Sequence, residues 1–351
     1  MTQTAKISVR NVWKVYGEQP EQYFVGGLNG NGRLGDTDDT AKIAQQMRAE
    51  NHIPACVDVS FDVASGENFV IMGLSGSGKS TVVRCITRLV EPTSGQIFLD
   101  GEDILAAPKD RLVELRRHKM GMVFQNFGLL PHLTVLENVA FPLKVQGVPV
   151  AEREATAREM IELVSLGGRE QAYPRQLSGG QQQRVGIARS LAVEPDIWLL
   201  DEPFSALDPL IRRQMQDEFM RLQKQLKKTI VFITHDFLEA IRIADRICIM
   251  KDGQIAQIGT ADEIILQPAN DYVAEFVSDV PLGRALTVGS VMKPVSIATN
   301  GVPTINREKS LDEACSLFQE GVDLVQVEDR GQIVGVVTAR ELVLAMAKSA
   351  T

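Results

Sequence analysis

Nine residues, GLSGSGKST from Gly73 to Thr81, fit the spacing G-x-x-x-x-G-K-S/T. That spacing is suited to binding phosphate. Gly73, Gly76 and Gly78 leave backbone N–H groups free to converge on phosphate oxygens, which bulkier residues would block. Lys79 has the length to reach a β- or γ-phosphate, the Ser80 hydroxyl can ligate magnesium, and Ser75 and Thr81 complete the cradle. A helix begun by Lys79 and Ser80 adds about half a positive charge at its N-terminus. A chance glycine-rich turn would lack the apolar strand NFVIM before it and the apolar helical spacing of Val82, Val83, Ile86 and Leu89 after it.

Two further stretches carry chemistry. DIWLLDEP delivers Asp201 and Glu202 to the C-terminal end of an apolar strand, where open α/β sheets bind ligands. Asp201 suits the shell of a magnesium ion. Glu202 can polarise an attacking water, a contribution of about 10²–10⁴-fold for a general base. Alone, such a pair reads as a solvated strand end; a phosphate loop in the same chain argues against that. The other stretch, LSGGQQQR from Leu177 to Arg184, sets Gly179 and Gly180 behind Ser178 and before Gln181. A helix starting after LSGG exposes unpaired N–H groups, and the Ser178 hydroxyl adds a donor.

These residues need a scaffold, and the pattern supplies one. KISVRNVWKVYG alternates like a strand and ends in exposed-looking aromatics; VDVSFDV and NFVIMG follow as strands. QIFLD, MGMVF, DIWLL, TIVFIT and RICIMK then alternate with helical stretches, which predicts an α/β domain with a largely parallel central sheet. Residues 18–54 read as a polar insert in which Asp36, Thr37 and Asp38 cap a short helix through TAKIAQQMRAE. Its GNGRLG, Gly30 to Gly35, formally matches a dinucleotide fingerprint, but no strand precedes it and it reads as a flexible turn. Residues 126–191 read as a helical subdomain inserted between two sheet strands. The first domain is expected to span 1–279, followed by a linker and a small α/β segment over 280–351. That segment, about 60 residues after the linker, is marginal alone and is expected to pack on a partner.

Bulk properties narrow the class. The 351 residues are 44% hydrophobic and 23% charged, an ordinary composition for a soluble protein. No apolar run approaches the roughly 18 residues that cross a bilayer, and no signal-peptide pattern opens the chain. A net charge of −8 argues against a nucleic-acid partner. Cys56, Cys85, Cys248 and Cys315 lie far apart in sequence, without metal-ligand spacing, and are expected as buried thiols. His52, His118 and His132 are expected to be structural.

With GLSGSGKST, LSGGQQQR and DIWLLDEP in that order, residues 6–279 resemble the nucleotide-binding subunit of an ABC transporter. The resemblance implies a P-loop NTPase core of ABC ATPase type with ATP and Mg2+ as cofactors. Gln125 in MVFQNFG takes the place of the glutamine that senses magnesium and the attacking water, and begins the segment that meets the membrane partner. SALD, ending in Asp208, resembles the loop linking two sites across a dimer. His235 in ITHD resembles the switch histidine at the γ-phosphate, and Tyr16 the aromatic that stacks on adenine, with Trp13 as the alternative. By the same resemblance, LSGGQ acts in trans, each copy closing over the γ-phosphate held by the other.

The segments from Ile71 to Ser80, SALDPLIRRQMQDE, THDFLEAIRIADRICIM and PANDYVAEFV look closest to importer ATPases for quaternary amines. This implies a second copy, a transmembrane permease, indirectly an extracytoplasmic substrate-binding protein, and a peripheral place on the cytoplasmic side of the inner membrane. The substrate class would be glycine betaine, choline, carnitine or a similar methylated amine. VMKP and GVVTAREL resemble a single CBS domain, with Thr338 and Glu341 where some such domains hold an adenosine ribose and ionic-strength sensing as one role. Two other functions fit a chain of this kind: a non-transport ABC ATPase acting on a macromolecule, and a nucleotide-sensing regulator.

Overall fold

The structure, a computed structural model, describes residues 5–24, 37–125, 127–278, 280–295, 301–318 and 322–347, the side chains of 37–39 and 347 excepted. The GNGRLG turn, the Asp36–Asp38 cap, Asn126 and the boundary residue Asp279 lie outside what is described. The chain forms two compact units, Met1–Glu239 with Cys248–Ile255, and Ala240–Ile247 with Ala256–Thr351.

The strands up to the second unit are β1 (Ala5–Tyr16), β2 (Ile53–Ala64), β3 (Asn68–Met72), β4 (Ser94–Leu99), β5 (Glu102–Asp103), β6 (Met120–Val123), β7 (Ile197–Asp201), β8 (Thr229–Thr234), β9 (Arg246–Lys251) and β10 (Gln254–Gly259). The helices are α1 (Thr37–Ala49), α2 (Lys79–Ile86), α3 (Lys109–His118), α4 (Val135–Val145), α5 (Val150–Leu163), α6 (Gly179–Leu191), α7 (Pro209–Leu226) and α8 (Phe237–Ile243).

Two sheets form. A six-stranded sheet runs β10-β9-β3-β8-β7-β6, and β3, β8, β7 and β6 pair in parallel. Strands β7 and β8 are buried along their whole length, which is why IWLLD and TIVFIT show no polar alternation. Trp198, Phe204, Phe219 and Phe232 pack together on one side of this sheet, with Phe219 and Phe232 centroids 5.7 Å apart.

The second sheet, β2-β1-β4-β5, is antiparallel, so QIFLD does not join the parallel sheet as its alternation predicts. An alternating strand read in isolation does not say which sheet it enters. Val82, Val83 and Ile86 bury α2 as expected, but Leu89 lies past the helix end and is exposed. Cys56, Cys85 and Cys248 are buried thiols, whereas Cys315 is exposed. Between β6 and β7 the chain passes through α4, α5 and α6. Asn138, wholly buried in α4, donates to the carbonyls of Leu130, Leu133 and Thr134, each at 3.0 Å, and so fixes the loop that follows Gln125.

In the second unit the elements are α9 (Ala261–Leu266), α10 (Asp271–Val277), α11 (Leu282–Ala285), α12 (Val288–Val291), β11 (Lys293–Pro294), β12 (Thr304–Asn306), α13 (Leu311–Cys315), β13 (Leu324–Asp329), β14 (Gln332–Thr338) and α14 (Ala339–Ala347). The sheet runs β11-β14-β13-β12, with β12 parallel to β13. Leu286, Leu311, Val325, Val327 and Val337 form its core. Thr338 and Glu341 are engaged with their surroundings: the Thr338 hydroxyl donates to Glu341 at 2.9 Å, and Lys293 pairs with the same carboxylate at 2.6 Å.

Candidate active site

The phosphate loop leaves β3 and turns into α2 through Gly78, whose φ of +101° suits glycine alone. A Cβ there would stand 2.2 Å from the Ala55 carbonyl oxygen, so the loop's path is closed to any other residue. No side chain caps α2, and its first N–H groups are left to the cavity. Lys79 is buried and folds back over the loop, its Nζ donating to the Gly73 and Leu74 carbonyls at 2.9 Å each. Burial draws the Lys79 ammonium below the ordinary lysine value, against the opposing pull of Glu202 and Asp201.

Asp201 ends β7, only 5% exposed, and its Oδ1 accepts from the Ser80 hydroxyl at 2.8 Å. Burial raises the Asp201 carboxyl above the usual carboxylate range, while the Ser80 hydrogen bond and the Arg84 charge oppose that shift. Arg84 NH2 lies 4.0 Å from Asp201 Oδ2. Glu202 follows with φ +45°, a left-handed backbone that a non-glycine residue adopts at a cost of about 1–3 kcal/mol. The bend is pinned by its own N–H donating to the Ile233 carbonyl at 3.1 Å. It takes the Glu202 side chain off the strand axis, where Oε2 meets Gln125 Nε2 at 3.4 Å and His235 Nδ1 at 3.2 Å. Gln125 and His235, each just past the end of a neighbouring strand, thus converge on one oxygen of the Glu202 carboxylate.

These groups line a single cavity of about 720 Å³ formed by Ser75, Gly76, Gly78, Lys79, Ser80, Thr81, Gln125, Glu202 and His235, with Ala55 and Leu74. Of the residues expected here, Gly73, Asp201 and Tyr16 are not on the lining, although Gly73 and Asp201 hold Lys79 and Ser80 from behind. Tyr16 is 42% exposed at the end of β1, with Lys14 Nζ 4.9 Å above its ring. Trp13 is 1% exposed and packs edge-on against Phe24, so it has no open face for a nucleotide base.

Ser178, Gly179, Gly180 and Gln181 do not line this cavity. Their helix begins at Gly179, before the end of LSGG rather than after it, because Ser178 and Gln181 close a reciprocal cap: Ser178 Oγ accepts from the Gln181 N–H at 3.3 Å, and Gln181 Oε1 from the Ser178 N–H at 3.0 Å. A Cβ on Gly180 would stand 2.5 Å from Ile211 Cγ2 of α7. Asp208 caps α7, accepting from the Ile211 N–H at 3.1 Å, and Arg212 binds the Ser205 and Leu207 carbonyls of the same loop.

No group of three or more His, Cys, Asp or Glu side chains suited to a metal occurs among the described residues. The Ser80 hydroxyl, Asp201 carboxylate and Gln125 amide are hard oxygen donors, few in number, which fits magnesium held mainly by substrate phosphates and water. Arg84 was not foreseen from the sequence; it lies four residues after Ser80, on the same face of α2. Ala55 and Leu74 on the lining carry no chemical signal.

Comparison with known proteins bears on this geometry. Residues 56–205 match the ABC transporter family and 288–348 the CBS domain family. The chain is 54% identical over 329 residues to a trimethylamine N-oxide transport system ATP-binding protein of Ruegeria pomeroyi, covering 94% of this chain and 93% of that one. It is 46% identical over 338 residues to a glycine betaine transport ATP-binding protein of Bacillus subtilis, covering 96% of this chain and 77% of the other. The dimeric structure of MJ0796, a bacterial ABC transporter cassette, superposes with a TM-score of 0.59 at 35% identity over 72% of this chain and 98% of its own.

Proposed function

Because the chain belongs to the ATP-binding, ATP-hydrolysing subunits of ABC transporters, we propose that it powers an importer of small methylated amines, with trimethylamine N-oxide as the leading substrate. Glycine betaine and related quaternary amines are the second reading. The extent of the likeness favours the first. The trimethylamine N-oxide relative is matched over 93% of its length, the glycine betaine relative over 77%.

The observation that carries the catalytic reading is Glu202, held between Gln125 and His235 on the lining of the cavity that also contains Lys79. Phosphoryl transfer depends chiefly on positioning and charge stabilisation. Lys79 and the open end of α2 neutralise the β- and γ-phosphates. The Glu202 carboxylate takes a proton from the attacking water as that water's oxygen bonds to the γ-phosphorus and the bridging bond to the β-phosphate breaks. Gln125 and His235 fix the direction from which the carboxylate acts. Ser80, Asp201 and Gln125 would hold magnesium, which would supply charge neutralisation to the phosphates.

The cavity is completed by a second copy whose Ser178, Gly179, Gly180 and Gln181 close over the γ-phosphate, with Asp208 at the interface. Supporting this, the four residues form a helix start, with Ser178 exposed and Gly180 buried, that is not part of the lining of their own chain's cavity, and the related cassette is dimeric. A permease is the further partner. A groove of about 400 Å³ beside Gln125, with Phe124, Leu130, Phe141 and Val145 on its lining, offers it an apolar seat. No helix among the described residues is long and apolar enough to cross a membrane, which fits a peripheral subunit on the cytoplasmic face of the inner membrane. Residues 280–351 are read as linker and single CBS domain, and 1–279 as the ATP-binding domain.

Reconstitution with the permease and an extracytoplasmic binding protein tests the proposal. ATPase stimulation by trimethylamine N-oxide above that by glycine betaine, choline or carnitine is expected. Stimulation by glycine betaine alone moves the assignment to the second reading, and none by any methylated amine rejects both.

A further inference from the structure

The insert between β1 and β2 has no obvious reason to exist. The two strands stay paired to their ends, Tyr16 opposite Ile53, so a tight turn would join them. Instead the chain detours through residues 17–52. Within the described part of that detour, α1 packs Ala44 and Met47 onto Trp13, Val15 and Val57. Its C-terminal end closes tightly, with the N–H groups of Glu50, Asn51 and His52 donating to the carbonyls of Gln46, Arg48 and Met47 at 3.0, 3.2 and 2.8 Å. Arg48 and His52 therefore issue from one fixed helix end.

The two side chains hold two separate segments, the Gly17–Glu18 stretch after β1 and the Asp252–Gly253 turn. His52 holds the residues just after Tyr16. Its Nε2 lies 2.9 Å from the Glu18 carbonyl oxygen and its Nδ1 3.0 Å from the Glu50 carbonyl oxygen, and its ring fills the place of a Gly17 Cβ, 2.2 Å from where that atom would be. Gly17 has φ +152°, so ring and backbone are matched. Tyr23, hydrogen-bonded to Glu50, braces the imidazole at 3.1 Å from Nδ1. On the other flank, Arg48 NH2 donates to the Asp252 carbonyl at 3.0 Å. The adjoining Gly253 N–H donates to the Ser77 carbonyl of the phosphate loop at 3.1 Å, and its carbonyl accepts from Val57 at 2.9 Å. Gly253 Cα would touch a Cβ on Gly78 at 3.4 Å. The Asp252–Gly253 turn is thus packed against the loop that receives the phosphates.

We propose that the insert is a brace for ATP: Arg48 positions the phosphate loop through the Asp252–Gly253 turn, and His52 positions Tyr16 through Gly17 and Glu18. The His52 arm rests on the reading of Tyr16 as the adenine platform; the Arg48 arm does not.

The test uses the full chain and four variants, Arg48→Ala, Arg48→Lys, His52→Ala and Tyr16→Ala. KM and kcat for ATP are measured, with calorimetric affinity for ATP and for inorganic tripolyphosphate, which lacks a base. Arg48→Ala is expected to weaken both ligands about three- to tenfold, the loss of one hydrogen bond, and to raise KM far more than it lowers kcat. Arg48→Lys recovers part of that loss. His52→Ala and Tyr16→Ala weaken ATP and leave tripolyphosphate as in the parent. Parental binding of both ligands by Arg48→Ala overturns the brace. So does a His52→Ala variant that loses both ligands together with a lowered unfolding temperature, since that is general loosening. If Tyr16→Ala binds ATP like the parent, the adenine reading of Tyr16 fails by itself, and tripolyphosphate affinity in Arg48→Ala still decides the remaining arm.

Discussion

Two helices of this chain, one starting behind Gly78 and one starting at Gly179, begin in opposite circumstances. Helix α2 starts behind Gly78 with no side-chain cap, and its orphan N–H groups face the cavity that holds Lys79 and Ser80. Helix α6 starts behind Ser178, and the Gln181 side chain and the Ser178 hydroxyl have already satisfied two of its orphan donors. The first is a finished anion site because nothing local competes for it. The second is closed on itself by a cap of about 0.5–2 kcal/mol, and under the proposed function it meets a phosphate only on the partner copy. A helix start that is stable on its own chain and yields only to a charged partner suits a site that works in trans.

The largest effects should come from the open end. Lys79→Ala removes the buried ammonium and should abolish measurable ATP binding, because Lys79 is the only lysine or arginine among the described residues that line the cavity. Glu202→Gln should leave binding intact, cut hydrolysis by about 10²–10⁴-fold and trap an ATP-bound dimer, read by gel filtration. Parental turnover in Glu202→Gln removes that carboxylate from the mechanism. The same result with an unchanged monomer would break the contrast between the two helix ends.

The closed end should give a different pattern. Gly180→Ala places a methyl against Ile211 Cγ2 at 2.5 Å, which forces α6 and α7 apart and should lower dimer-dependent ATPase, with the affinity of a single chain for ATP little changed. Ser178→Ala loses the cap, about 1 kcal/mol of stability, and the proposed in-trans donor. Titration with a nucleotide analogue at subunit concentrations too low for dimerisation separates the two roles. Loss of affinity in that monomeric limit would place the signature in its own chain's site.

Much of the open end was legible because its chemistry is local. GLSGSGKST fixes loop, glycines, lysine and serine within nine residues, and DIWLLDEP puts both carboxylates on one strand end. The resemblance pointed to Gln125 and His235 but not to their convergence on Glu202, since residues 125, 202 and 235 are joined by sheet order rather than spacing. Two readings failed for physical reasons. Trp13 shows a strand aromatic next to a polar insert, but α1 of that insert packs over it and buries it. LSGG suggests glycines outside the helix, yet the Ser178–Gln181 cap pulls both into its first turn. The antiparallel home of β4 was hidden as well, because its partner β1 lies some 80 residues upstream with no pattern linking them.

The smallest effect, and the sharpest, uses a third helix start. Helix α4 closes the same reciprocal cap through Thr134, but with Glu137 in place of glutamine. The Thr134 N–H, bonded to that carboxylate, holds Glu137 below the usual carboxylate range. A depressed pKa adds stability that is present above the unfolded-state value and is lost as pH falls through the folded value. Glu137→Gln should therefore lower the unfolding temperature slightly at neutral pH, with the difference from the parent vanishing in acid. At α6 the neutral Gln181 gives up that electrostatic gain, worth about 0.3–1 kcal/mol at a helix N-terminus, and leaves the end positive. Gln181→Glu should restore the gain, raising the unfolding temperature at neutral pH and not in acid, while its charge repels the partner's γ-phosphate and depresses ATPase. A more stable protein that hydrolyses ATP as fast as the parent would mean that the α6 end never meets a phosphate.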